Sequence, residues 1–77
     1  MKVKLHRDAV KFLDKLPQKQ RERLFQAICK LPYGDVAALK NRRPEFRLRV
    51  GDFRVIFEYA GGVIHVLEIG NRGNVYK

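Results

Sequence analysis

Gly51 and Asp52 divide two stretches in which apolar and polar residues alternate, and this arrangement constrains the fold more tightly than any other feature of the chain. Phe46-Arg47-Leu48-Arg49-Val50 precede the pair, and Phe53-Arg54-Val55-Ile56-Phe57-Glu58-Tyr59 follow it. A period of two marks a β-strand with one face buried, and a Gly-X pair between two such runs suits a type II′ turn. A loop of two residues also sets register. Val50 is expected opposite Phe53, Arg49 opposite Arg54, and Leu48 opposite Val55.

The rest of the chain falls into place around this hairpin. Val3 and Leu5 alternate with Lys2, Lys4 and His6, which reads as a short first strand. Ala9, Phe12, Leu13 and Leu16 then follow at i, i+3, i+4 and i+7, one apolar helix face that Pro17 stops. Leu24, Ala27, Ile28 and Leu31 repeat the spacing, predicting a second helix from Gln18 to Lys30 that ends before Pro32. Pro32, Tyr33, Gly34 and Asp35 are a turn cluster, and the stretch to Pro44 reads as a loop with one short helical turn around Val36 to Leu39. Gly61 and Gly62 make a further turn, and the mostly apolar run from Val63 to Ile69 suits a central strand covered on both faces. Residues 1–77 are expected to form a single α+β domain: an N-terminal strand, a two-helix antiparallel hairpin, then a three-stranded antiparallel meander. The helices cover one face of the sheet and leave the other for work.

Seventeen Lys and Arg against eight Asp and Glu leave a formal charge of +9 on 77 residues. Self-repulsion on that scale makes sense beside an anionic partner, with nucleic acid the leading candidate. An anionic membrane fits poorly, because no helix has a continuous cationic face and no apolar run approaches the ~18 residues of a membrane span. No signal peptide is visible either. Cys29 alone can form neither an internal disulfide nor a thiolate metal site, so a reducing cytoplasm fits best. Its apolar neighbours predict that it packs in the interior.

The register concentrates cations. Arg49 faces Arg54 across the hairpin and Arg47 lies on the same face, with no acidic residue opposite the first two. Like charges directly across a sheet cost stability, and a bound anion relieves that cost. Guanidinium groups are well shaped for bidentate phosphate binding. A solvated face is the plainer reading of alternating charges on a strand, and Glu68 can neutralise Arg54 if the Gly61-Gly62 loop counts three residues. Gly70-Asn71-Arg72-Gly73-Asn74-Val75-Tyr76-Lys77 follows the last strand, with glycines that let the backbone turn. Val75 and Tyr76 are an unusual ending for a frayed tail.

The segment Phe46-Arg47-Leu48-Arg49-Val50-Gly51-Asp52-Phe53-Arg54-Val55-Ile56-Phe57-Glu58 closely resembles the hairpin of the RelE/ParE toxins. Ile69-Gly70-Asn71-Arg72-Gly73-Asn74-Val75-Tyr76 resembles the C-terminal segment of RelE-type members. The order of elements matches as well, so the resemblance covers nearly the whole chain. It implies a toxin of microbial-ribonuclease-like fold that enters the ribosomal A site and cuts messenger RNA. The 2′ hydroxyl attacks the adjacent phosphorus, leaving a cyclic or 3′ phosphate and a 5′ hydroxyl. That reaction requires no metal and no cofactor. It requires phosphorane stabilisation, alignment of the 2′ oxygen and proton transfer at each end.

By the resemblance, Arg54 and Arg72 stabilise the phosphate, with Arg72 also assisting the leaving oxygen, and Tyr76 stacks on or orients the base. Arg49 joins this catalytic group. Arg47, Lys40, Arg42, Arg43 and Lys77 are RNA-binding candidates, the loop cations steering ribosomal RNA. Two departures stand out. Arg47 and Arg49 fall where some relatives carry lysines, and a guanidinium is a poor general base. Many relatives have His near the position of Asn71. The candidate bases are therefore Glu45, Glu58, Glu68 or a ribosomal group, while His6 and His65 read as structural or exposed.

The same hairpin occurs in ParE-type gyrase inhibitors, so gyrase binding without nuclease activity is the competing reading. An inactive member that binds only antitoxin or RNA is a third. Each implies a cognate antitoxin covering apolar helix surface and the basic face, with operator DNA reached only through the antitoxin complex.

Overall fold

The structure, a computed structural model, describes residues 2–39 and 45–71. Seven elements succeed one another: β1 (Lys2–Leu5), α1 (Arg7–Asp14), α2 (Gln18–Cys29), β2 (Val36–Ala38), β3 (Phe46–Val50), β4 (Phe53–Ala60) and β5 (Val63–Asn71). The strands form one sheet in the order β1-β5-β4-β3-β2, parallel where β1 meets β5 and antiparallel elsewhere. The expected α+β architecture holds.

Both helices begin where the period changes. His6 joins β1 to α1 in extended conformation. Its N–H still donates to the Val66 carbonyl at 2.9 Å, while its own carbonyl accepts from the Val10 N–H. The α1 helix closes at Asp14 and tightens through a bond from the Leu16 N–H to Leu13 O, three residues back, before Pro17. Ala9 and Leu13 of α1 and Leu24 and Ile28 of α2 are buried against Leu48, Val50, Val55, Phe57, Ile64, Val66 and Ile69 of the sheet. Phe12 meets Phe53 edge to face at 5.9 Å, and Phe46 stacks on Phe57 at 5.6 Å. Burying each large apolar side chain stabilises the fold by roughly 1.5–3 kcal/mol, so these layers carry most of its cohesion.

Turn chemistry sets the meander. Gly51 has φ +59° and Asp52 a negative φ, as the expected type II′ turn requires, whereas both Gly61 and Gly62 have positive φ, as in a type I′ turn. The register of β3 on β4 is the expected one: Val50 with Phe53, Arg49 with Arg54, Leu48 with Val55. The last strand is central, between β1 and β4.

Three expectations need correction. Residues Val36–Ala38 form a fifth strand, β2, paired with Ala38 opposite Phe46 and Val36 opposite Leu48, where a helical turn was expected. Three residues carry no readable period, and the open edge of β3 decides their conformation. Cys29 is exposed. It follows Ile28 by one residue, about 100° around the helix, and so falls off the stripe of Leu24, Ala27 and Ile28. The sheet face away from the core is not bare throughout, since Ile56 is fully buried and Arg54 is 6% exposed.

Candidate nucleic-acid interface

Two rungs of the sheet build the basic face. Across β3, β4 and β5, Arg49 lies beside Arg54 and Arg54 beside Gly70; on the next rung, Arg47 lies beside Ile56 and Ile56 beside Glu68. The three arginines therefore meet as the hairpin register implied. The strand neighbour of Arg54 on its other side carries no side chain.

A β-bulge places Glu68. Continuing the pairing from the Gly61-Gly62 turn without interruption would set Glu68 opposite Val55, on the core side. The ladder instead shifts between Ile56 and Phe57, which face Glu68 and Val66. Leu67 is the extra residue, and the slip turns Glu68 to the arginine side. Glu68 would face Arg54 only with a three-residue loop; the loop has two residues and the bulge adds a further step, so Gly70 lies opposite Arg54. The apolar spacing Ile64, Val66, Ile69 is the sequence signal of the slip.

Asp35 is the acidic partner that sequence reasoning missed. Its carboxylate reaches Arg47 Nη1 at 3.4 Å and Arg49 Nε at 3.7 Å. Its carbonyl accepts from the Arg49 N–H at 2.9 Å and from Arg47 Nη1 at 3.1 Å. The cause is β2, whose pairing of Val36 with Leu48 carries the preceding Asp35 alongside Arg49. Nothing in the local sequence signals a strand there. These pairs are partly exposed, and such pairs contribute under ~1 kcal/mol each.

Arg54 is held differently. Its Nη1 donates to the Phe53 carbonyl at 3.2 Å and to the Gly51 carbonyl at 3.4 Å. A buried cation is costly unless oxygen surrounds it, and the carbonyls at the hairpin tip supply part of that shell. They also hold the guanidinium along the hairpin tip.

Of the other candidate bases, Glu45 directly precedes β3, and Glu58 pairs with His65 on the far side of the bulge from Arg54. His65 Nδ1 lies 3.1 Å from His6 Nε2, with the rings edge to face at 5.2 Å. That contact ties the end of β1 to β5, the structural role expected of both. Arg72, Tyr76 and Lys77, with Lys40, Arg42 and Arg43, lie outside the described residues. No group of three or more His, Cys, Asp or Glu suited to a metal ion occurs among the described residues, nor is any helix there long and apolar enough to cross a membrane.

Residues 3–76 match the family described as ParE toxin of type II toxin-antitoxin system, parDE. The chain belongs to the ParE toxin family. Solved structures place this toxin in the wider RelE/ParE superfamily. A chain of the archaeal RelE-RelB complex from Pyrococcus horikoshii OT3 is 31% identical, with TM-score 0.75, covering 95% of this chain and 96% of that one. A chain of the RelB-RelE antitoxin-toxin complex from Methanococcus jannaschii is 23% identical, with TM-score 0.77 and coverage of 94% and 93%. A chain of the RelBE2 complex from Mycobacterium tuberculosis is 20% identical, with TM-score 0.75 and coverage of 92% and 96%. No curated protein matches the sequence.

Proposed function

We propose that this toxin is a ribosome-dependent messenger-RNA endoribonuclease that inhibits translation and is held in check by a cognate antitoxin. The observation that carries the reading is the placement of Arg49 and Arg54 on one rung of the sheet and of Arg47 and Glu68 on the next. Arg72 follows two residues after Gly70 in the chain. A scissile phosphate over that rung meets guanidinium groups able to stabilise the extra charge of the phosphorane. Glu68, one rung from Arg54 on the same face of the sheet, is the carboxylate that accepts the 2′ proton in this reading. Arg72 assists the departing 5′ oxygen, and Tyr76 holds the base. Lys40, Arg42, Arg43 and Lys77 steer ribosomal RNA. An antitoxin partner fits the solved complexes, in which the similar chains are paired with RelB-type antitoxins.

The match to ParE favours one alternative, inhibition of DNA gyrase without cleavage, and so does Asn71 where an imidazole would serve as base. The deciding experiment is single-turnover cleavage on programmed ribosomes with saturating toxin. Cleavage is expected for the parent, with Arg72→Ala docking normally but cutting slowly. If the parent leaves mRNA intact while DNA breaks accumulate in cells, the gyrase reading replaces this one.

A further inference from the structure

The α2 helix turns Arg23 and Ala27 to one side, and Lys30, the residue that caps its C-terminus, follows at the same spacing. Facing them is the tip of the β3–β4 hairpin. The β2 strand begins only at Val36, opposite Leu48, so Arg49 and Val50 have no strand outside them. The gap left between hairpin and helix is a cavity of about 380 Å³. Leu48, Val50 and Ala27 contribute apolar lining, Arg23, Lys30 and Arg49 are its cations, and Tyr33 stands in its wall at 78% exposure. That volume lies at the small end of the ~300–1,000 Å³ typical of small-ligand sites.

Charge and shape narrow the occupant. The one acidic residue lining the cavity, Asp35, is already shared between Arg47 and Arg49. Among the described residues, neither Arg23 nor Lys30 takes part in an ion pair. Gly51 keeps the hairpin side open, since a side chain there would begin 3.1 Å from the Arg23 guanidinium. An exposed aromatic ring over an apolar floor accepts a planar base, and two unpaired cations beside it accept a phosphate. A carboxylate side chain would engage the cations and leave ring and floor unused. Arg49 belongs to both this cavity and the arginine rung, so one strand of RNA can pass from one to the other.

We propose that the cavity is a nucleotide subsite: one base of single-stranded RNA stacks on Tyr33, and its phosphate lies between Arg23 and Lys30. The inference rests on the RNA-binding role proposed above and extends it to a nucleotide flanking the scissile one. The test is an amide NMR titration of the full chain with adenosine 5′-monophosphate, adenosine, inorganic phosphate and a glutamate-rich peptide. Adenosine monophosphate is expected to shift the amides of Lys30, Gly34 and Gly51. Tyr33→Ala, at an exposed position, and the double variant Arg23→Ala with Lys30→Ala should each weaken that binding about tenfold, while Lys4→Ala, which removes an exposed cation of β1 at the other edge of the sheet, leaves these shifts in place. Absence of shifts at these amides overturns the subsite, as does inorganic phosphate matching the nucleotide, or the peptide binding there more tightly. Ribosomal cleavage reads the other proposal separately. A toxin that cuts mRNA at parental rate with Tyr33→Ala and shows no nucleotide shift keeps the nuclease and loses the subsite. One that binds the nucleotide here and never cuts does the reverse.

Discussion

Arg54 and Asp35 make opposite uses of charge. The Arg54 guanidinium is buried and oriented by the carbonyls of Gly51 and Phe53, so it is preorganised for charge that develops beside it. Removing one oriented contact of this kind typically costs 10²-fold or more in rate. Arg54→Ala is therefore expected to slow single-turnover cleavage by about that factor, with a smaller loss of RNA affinity because several cations share ground-state binding. Equal losses in both would reduce Arg54 to a docking residue. Asp35 instead holds Arg47 and Arg49 in partly exposed pairs. Asp35→Asn should change stability by less than about 1 kcal/mol yet tighten RNA binding and steepen its salt dependence, measured by anisotropy across a salt series. Weaker binding by that variant would mean Asp35 positions the arginines for RNA. Gly51 combines φ +59° with the close approach of Arg23. Gly51→Ala should cost about 1–2 kcal/mol, and in a domain of this size each kcal/mol lowers Tm by roughly 4–8 °C.

The helices and the bulged strand divide the labour between cohesion and placement. Leu24 of α2 is fully buried while its neighbour Phe25 is 42% exposed. Leu24→Ala should cost about 2–5 kcal/mol, against a total of roughly 4–12 kcal/mol expected for 77 residues at ~0.05–0.15 kcal/mol per residue. Phe25→Ala, on the same helix, should cost far less. Urea unfolding of the two variants checks this, and similar midpoints would show that α2 packs through a different face. In β5, deleting Leu67 removes the extra residue of the bulge. The pairing then runs straight from Phe57–Val66 to Ile56–Glu68, so Glu68 keeps its place on the arginine side and cleavage should persist; loss of cleavage would mean that the bulge itself shapes the site.

At the scale of the whole molecule, a central β5 and a concentrated basic face make two measurable statements. Amide exchange should be slowest around Val66, where β5 is flanked by β1 and β4. Fast exchange there would contradict the sheet order. Single-stranded RNA affinity should fall with salt at a log-log slope of magnitude roughly 2–3, from about 0.7 per phosphate neutralised by Arg47, Arg49, Arg54 and Arg72. A slope near zero would separate the arginine face from RNA.

The hairpin was legible because a two-residue loop and strict alternation leave one register, and that register alone brings Arg49 and Arg54 together. The helices were legible for a similar reason: their apolar stripes repeat at helical spacing and prolines mark where they stop. Local pattern carries such information because neighbours in the chain remain neighbours in the fold. Tertiary structure alone decided what depends on distant partners. The three residues of β2 become a strand because β3 offers an edge, and Asp35 reaches the arginines because β2 pairs where it does. The bulge sets the face of Glu68 by reconciling a two-residue turn with burial of Ile64, Val66 and Ile69. Cys29 shows the boundary between the two: its apolar surroundings in sequence suggest burial, but helical geometry, one residue past the stripe, puts it in solvent.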